Sequence, residues 1–421
     1  MERINAGDTA WVLASAALVM LMTPALGFFY GGLVRQKNVL STLMHSFVAL
    51  CVISVQWVLW GYTLAFGPDV HHVIGSFAWL GLNGVGATPN ADYAPTIPHA
   101  AFALFQMMFA VITPALITGG FAERKRFAAF ALFTLLWATF VYDPIAHWVW
   151  GHGGWLANLG ALDFAGGTVV HISSGVAALV CAFVLGPRIL HDRMREPHDR
   201  PMMLLGASLC WFGWFGFNAG SALAANGVAA LAFVNTGAAA AMGGLAWMFL
   251  TWWRKGAPTA VGAAAGAIAG LVAITPAAGY VSPSAAILIG AIAAVVCYVA
   301  VNLRERMRVD DALDVFPVHG IGGTVGALLT GVFALGANVP KQVLVQLLAV
   351  AAVWVYTAIA TWIILQFVTR LVAIRVSADE ERLGLDVTQH AEVAYARDGG
   401  SSQSLYAEHA QGYRDDKVEA A

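Results

Sequence analysis

The chain has 421 residues, 59% of them hydrophobic and 11% charged, with a mean hydropathy of +0.71. That leaves too little polar surface to cover a water-soluble globule, so lipid is the expected solvent. A formal net charge of -2 and a pI near 6.6 exclude a nucleic-acid partner, because no basic face exists to neutralise phosphates.

At roughly 20 apolar residues per crossing, the sequence predicts an all-α integral membrane protein with eleven transmembrane helices. They start near residues 9, 39, 99, 127, 163, 201, 228, 258, 282, 312 and 341. The first is not a signal peptide: its apolar run from Thr9 to Leu33 is too long, and its cations, Arg35 and Lys37, follow it. The connection from Gly67 to Pro98 is rich in Gly, Pro and Asn and lacks Lys and Arg, which predicts a structured outer loop with room for short helices. Alternate connections hold the cations, so that 20 of the 22 Lys and Arg residues fall on one side, leaving Arg3 and Lys341 on the other. Cytoplasmic loops retain Lys and Arg, which predicts the N-terminus outside and the C-terminus in the cytoplasm. An odd count with opposite termini fits inverted five-helix repeats plus one extra helix. The four cysteines, Cys51, Cys181, Cys210 and Cys297, lie in apolar runs without CxxC spacing and read as packing residues. The reading divides the chain into a membrane domain, 1–376, and a cytosolic tail, 377–421, partly disordered and more acidic than basic.

Polar groups inside the spans are the candidates for function. His171 sits mid-span 5 with Gly167 and Gly175 four residues to either side, and His319 in span 10 has Gly322, Gly323 and Gly326 at i+3, i+4 and i+7. Glycine there admits a close helix or a narrow conduit. A lone membrane histidine is as often a helix-bonding group as a functional one, but two in corresponding spans favour function. Such a pair could line the path of a small neutral molecule or relay protons. Asp163 lies about 80° from His171 around a continuous helix, so direct contact is not expected. It either caps the outer helix end or draws cations to a pore mouth. In span 6, Trp214, Phe217 and Ser221 share one stripe, and Gly213, Gly216 and Gly220 form the packing stripe beside it. With Phe105 and Phe109 in span 3 and Trp150 ending span 4, they could form an aromatic cage for a cation, although packing explains most membrane aromatics. The spans hold no hydrolytic or nucleotide-binding pattern, so no enzyme, cofactor or metal site is expected.

These segments, above all Gly27 to Arg35, Ala122-Glu123-Arg124, Leu162 to Ile172, Trp214 to Ser221 and Asp310 to Gly320, resemble the ammonium transporter (Amt/MEP/Rh) family, in its bacterial Amt branch. The resemblance runs from the first span to about Tyr395 and implies a homotrimer in the cell inner membrane, with one pore per subunit. It implies an ammonium recruitment site of Phe109, Trp150 and Ser221, a pore gate of Phe109 and Phe217 bordered by Trp214, and twin pore histidines, His171 and His319. Asp163 matches the pore-entrance aspartate, with a structural or electrostatic role. The implied mechanism captures NH4+ (methylammonium is an analogue), removes its proton and conducts NH3, with or without a separately relayed proton. Gly384, Asp386, His390, Glu392 and Tyr395 belong to a tail motif that couples subunits and helps a PII-type signal protein dock. Ala391 replaces that motif's usual glycine. Two other classes fit the same fold: an ammonium sensor, and an Rh-type channel for neutral NH3 or CO2.

Overall fold

The computed structural model describes residues 4–189, 196–307 and 309–395. Arg3, Arg193, Arg195, Arg308, Arg397, Arg414 and Lys417, counted above among the loop and tail cations, lie outside the described residues, as does the tail beyond Tyr395.

Ten helices among the described residues are long and apolar enough to cross a bilayer. In chain order they are span 1 (Ala6–Leu33), span 2 (Gln36–Phe66), span 3 (His99–Phe121), span 4 (Phe127–Asn158), span 5 (Gly167–Leu185), span 6 (Arg200–Gly220), span 7 (Gly227–Lys255), span 9 (Pro283–Arg306), span 10 (Phe316–Phe333) and span 11 (Val339–Leu371). Span 8, Ala260–Ile274, is the eleventh, and its 15 residues cover only about 22 Å at 1.5 Å per residue. It stops at Thr275-Pro276 inside the bundle, where Thr275, Ala277 and Ala278 are all buried. Span 5 also begins inside, at Gly167, four residues later than the sequence predicts.

The architecture is a helical membrane bundle of two inverted five-helix halves plus span 11. Equivalent spans of the halves pack together. The span 6 glycines meet span 1: a Cβ on Gly213 would fall 2.3 Å from Met22 Cγ, and one on Gly220 would fall 2.5 Å from Ser15 Cβ. Spans 5 and 10 cross so closely that a Cβ on Gly175 would lie 2.1 Å from Gly320 N. Both histidines sit in wide, π-type helical turns, Gly167–Ile172 and Phe316–Ile321, rather than on regular helix. Such turns insert an extra residue and re-aim a side chain.

The connection from Gly67 to Pro98 differs from expectation in one respect. Besides a short helical turn, Phe77–Leu82, it forms a hairpin of Asp69–Val70 with Ile74–Gly75, whose turn places His71 and His72 at positive φ. The cysteines are free, three buried and Cys51 exposed.

Candidate functional site

Three cavities follow one another through the bundle. The first, about 260 Å³, opens beside the 67–98 connection and is lined by Phe109, Trp150 and Ser221, together with Asp92, Tyr93 and Gln106. Phe109 and Trp150 meet edge to face, with centroids 5.8 Å apart and planes at 86°. Trp150 is held by its indole N–H, which donates to Asp163 O at 2.9 Å. Ser221 Oγ donates to Phe217 O at 2.8 Å, which leaves its lone pairs to accept. The sequence-predicted recruitment residues therefore share one cavity.

Below it the Phe109 and Phe217 rings lie 4.3 Å apart between centroids, Phe109 lining the first cavity and Phe217 the second. That second cavity is narrow, about 20 Å³, space for about one molecule the size of water. Val170, His171, Trp214, Phe217 and His319 line it among aliphatic side chains. Trp214 stands in this chamber, its ring 5.4 Å from that of His171 and 5.6 Å from that of Phe217, so it borders the phenylalanine pair from below. A third cavity of about 200 Å³ continues from His319 and Phe29 to Pro197 and Asp314 on the opposite face.

The histidines touch. His171 Nδ1 and His319 Nδ1 are 3.2 Å apart. Sequence reasoning missed the residue that orders them, Thr275. Its hydroxyl donates to Leu271 O at 2.7 Å, so its oxygen accepts from Trp214 Nε1 at 2.9 Å and from His171 Nε2 at 3.4 Å. With neutral rings, a proton on His171 Nε2 leaves its Nδ1 as acceptor, and His319 Nδ1–H must donate to it. His319 Nε2 is then the free acceptor of the pair. The Thr-Pro step ending an apolar run was the available signal for a break here.

Asp163 is not part of a helix running to His171, which corrects the angle argument: the helix starts at Gly167 and Asp163 stands ahead of it. Its carboxylate accepts from the amides of Gly166 (2.8 Å), Gly167 (2.6 Å), Thr168 (2.8 Å) and Val169 (3.2 Å), and from the Thr168 hydroxyl. A carboxylate so saturated caps the helix start.

The model of the Ammonium Transporter Family matches residues 10–395. The chain belongs to that family. It is 53% identical to the ammonium transporter of Bacillus subtilis (strain 168) over 92% of this chain and 98% of that one. Among solved structures it is similar to Candida albicans Mep2, at 38% identity and a TM-score of 0.84 over 90% of this chain and 88% of that one. It is also similar to a sensor Amt protein, at 30% identity and a TM-score of 0.86 over 91% and 98% of the two chains.

On the face opposite the 67–98 connection of this family member, an ion cluster ties four connections. Glu123 receives Arg35 Nε at 2.8 Å and Arg188 Nη1 at 2.6 Å, and Arg188 Nη2 also reaches Asp310 at 2.8 Å. Burial opposes the Glu123 charge, but Arg188 and Arg35 outweigh it and hold the carboxyl at about 2.

The tail docks against this cluster. Asp386 accepts from the amides of Leu40 (3.0 Å) and Ser41 (2.7 Å) at the start of span 2, and burial pushes its carboxyl up to about 6 against those bonds. Gly384, at φ 112°, leaves no room for a Cβ beside Lys37, whose ammonium meets Arg382 O. His390 packs edge-on to Phe127, and Glu392 N donates to Asp386 O at 3.3 Å. Tyr395 OH lies 3.3 Å from His198 Nε2. The five tail residues are thus brought to one face, with Ala391 in the left-handed conformation at φ 55°.

Proposed function

We propose that this chain carries ammonium through the bilayer, from the face of the 67–98 connection to the face of the tail. The observation that supports this reading is the order of the cavities: an aromatic and hydroxyl-lined cavity, a phenylalanine pair, a one-molecule chamber walled by two histidines, and an exit. Phe109 and Trp150 offer ring faces to NH4+, each worth roughly 0.5 to 2 kcal/mol, and Ser221 accepts an N–H. Moving the intact ion into the apolar chamber costs far more than the cage returns. The proton therefore leaves at the constriction, returning to the outer water or crossing by a separate relay that carries the current; NH3 passes His171 and His319, and K+, having no proton to shed, is refused. The name of the curated relative above, an ammonium transporter, supports the substrate.

The same reading makes the protein a multi-pass inner-membrane homotrimer, N-terminus outside and tail in the cytoplasm, with Gly384, Asp386, His390, Glu392 and Tyr395 as the surface for a PII-type signal protein. Proteoliposomes should take up radiolabelled methylammonium and show an ammonium-dependent current. Replacing His171 and His319 together by Ala should abolish selective uptake while leaving assembly intact. Absence of uptake and current in the wild type would favour a sensor. Uptake without current would favour net NH3 conduction, and unchanged selectivity in the double variant would remove the histidines from the mechanism.

A further inference from the structure

The outer cavity holds more polar chemistry than the cage uses. Gln106 lies three residues before Phe109 on span 3, lines the same cavity and is only 8% exposed, and its Oε1 is buried without a hydrogen-bond partner. A buried amide oxygen without a donor is destabilising, and a ligand bringing N–H groups relieves it once the amide turns about its soft terminal torsion. Asp92 lines the same cavity with its side chain 58% exposed, and its nearest basic neighbour, His152 Nδ1, is 3.9 Å away. Its backbone N–H donates to Asn90 Oδ1 at 3.0 Å, which holds the loop in place. Asp163 cannot accept directly from a cation here, since its oxygens are taken by five donors and it does not line this cavity.

We infer that Gln106 and Asp92 complete the recruiting cavity, Gln106 as a second N–H acceptor opposite Ser221 and Asp92 as the carboxylate that draws the cation in. The assignment rests on the ammonium reading above. It has a consequence for specificity. Ammonium presents four N–H groups and methylammonium three plus a methyl, so a second acceptor favours the former. Asp92, standing in water, acts through a field that salt screens.

Purified protein titrated with ammonium chloride or methylammonium chloride, followed by tryptophan fluorescence, tests this separately from transport. Gln106→Leu should weaken ammonium binding by about fivefold and methylammonium by less than about twofold, while Gln106→Glu, which keeps an acceptor, should stay within about twofold of wild type. Equal losses in the Leu and Glu variants, equal losses for the two ligands, or no loss would overturn the Gln106 assignment. Asp92→Asn should raise half-saturation about two- to threefold near 10 mM salt and leave it unchanged near 500 mM; a salt-independent effect, or none, would overturn the Asp92 assignment. A wild type that binds ammonium in this assay but moves none in proteoliposomes sinks the transport reading and leaves the cavity assignment standing.

Discussion

Thr275 carries more of the histidine pair's order than its place in the sequence suggests. One hydroxyl gives its proton to Leu271 O and accepts from Trp214 and His171, which sets the proton on His171 Nε2 and turns the shared Nδ1 contact one way. Thr275→Val keeps the shape, removes the acceptor and leaves the Trp214 indole N–H unpaired. Methylammonium uptake by that variant should fall about tenfold, and Thr275→Ser should retain most of it; equal uptake by Val and wild type would remove the hydroxyl from the mechanism. The histidines were legible because both stand beside glycines in corresponding spans, whereas threonine is ordinary in a span and announces nothing. Asp163 left two readings open in sequence because a carboxylate can cap or attract. The start at Gly167 gives its oxygens to the amides of 166–169 and the Thr168 hydroxyl, which makes it a cap.

At the scale of elements, the wide turns around His171 and His319 and the early stop of span 8 are what gather the site. Regular helical periodicity placed the candidate residues on their spans but could not register a one-residue bulge. It also grouped Trp214 with Phe217, and the two rings meet at 5.6 Å in the lining of the chamber. The tail is the other element whose conformation was open. Ala391 adopts φ 55°, where a Cβ crowds the backbone by about 1 to 2 kcal/mol. Ala391→Gly should relieve that strain, giving a net gain of about 1 kcal/mol after the extra freedom glycine brings to the undocked tail. Hydrogen exchange across 384–395 should therefore slow in the variant. Faster exchange would mean that the undocked tail's added freedom outweighs the strain.

Across the whole molecule, the cluster of Arg35, Glu123, Arg188 and Asp310 links the connections after spans 1, 3, 5 and 9. Glu123 falls from its ordinary 4.5 to about 2 in the folded protein. Because the folded value is depressed, its stabilisation is present in full above pH 4.5 and is lost as pH falls through 2. The difference corresponds to on the order of 3 kcal/mol. Thermal unfolding of the wild type and Glu123→Gln in detergent should show a constant gap above about pH 5 that narrows toward pH 3. A gap that does not change with pH would mean that Glu123 acts through packing alone. The sequence by itself determined the lipid environment and the number of spans and singled out two candidate histidines, because hydropathy, loop cations and glycine-flanked histidines in corresponding spans are local signals. Only the tertiary structure decided that Phe109 meets Phe217 ring to ring, that Thr275 reaches His171, and that Asp92 and Gln106 line the same cavity as Ser221. Those pairings join residues from separate spans, and their geometry depends on bulges, helix stops and glycine crossings that no single segment encodes.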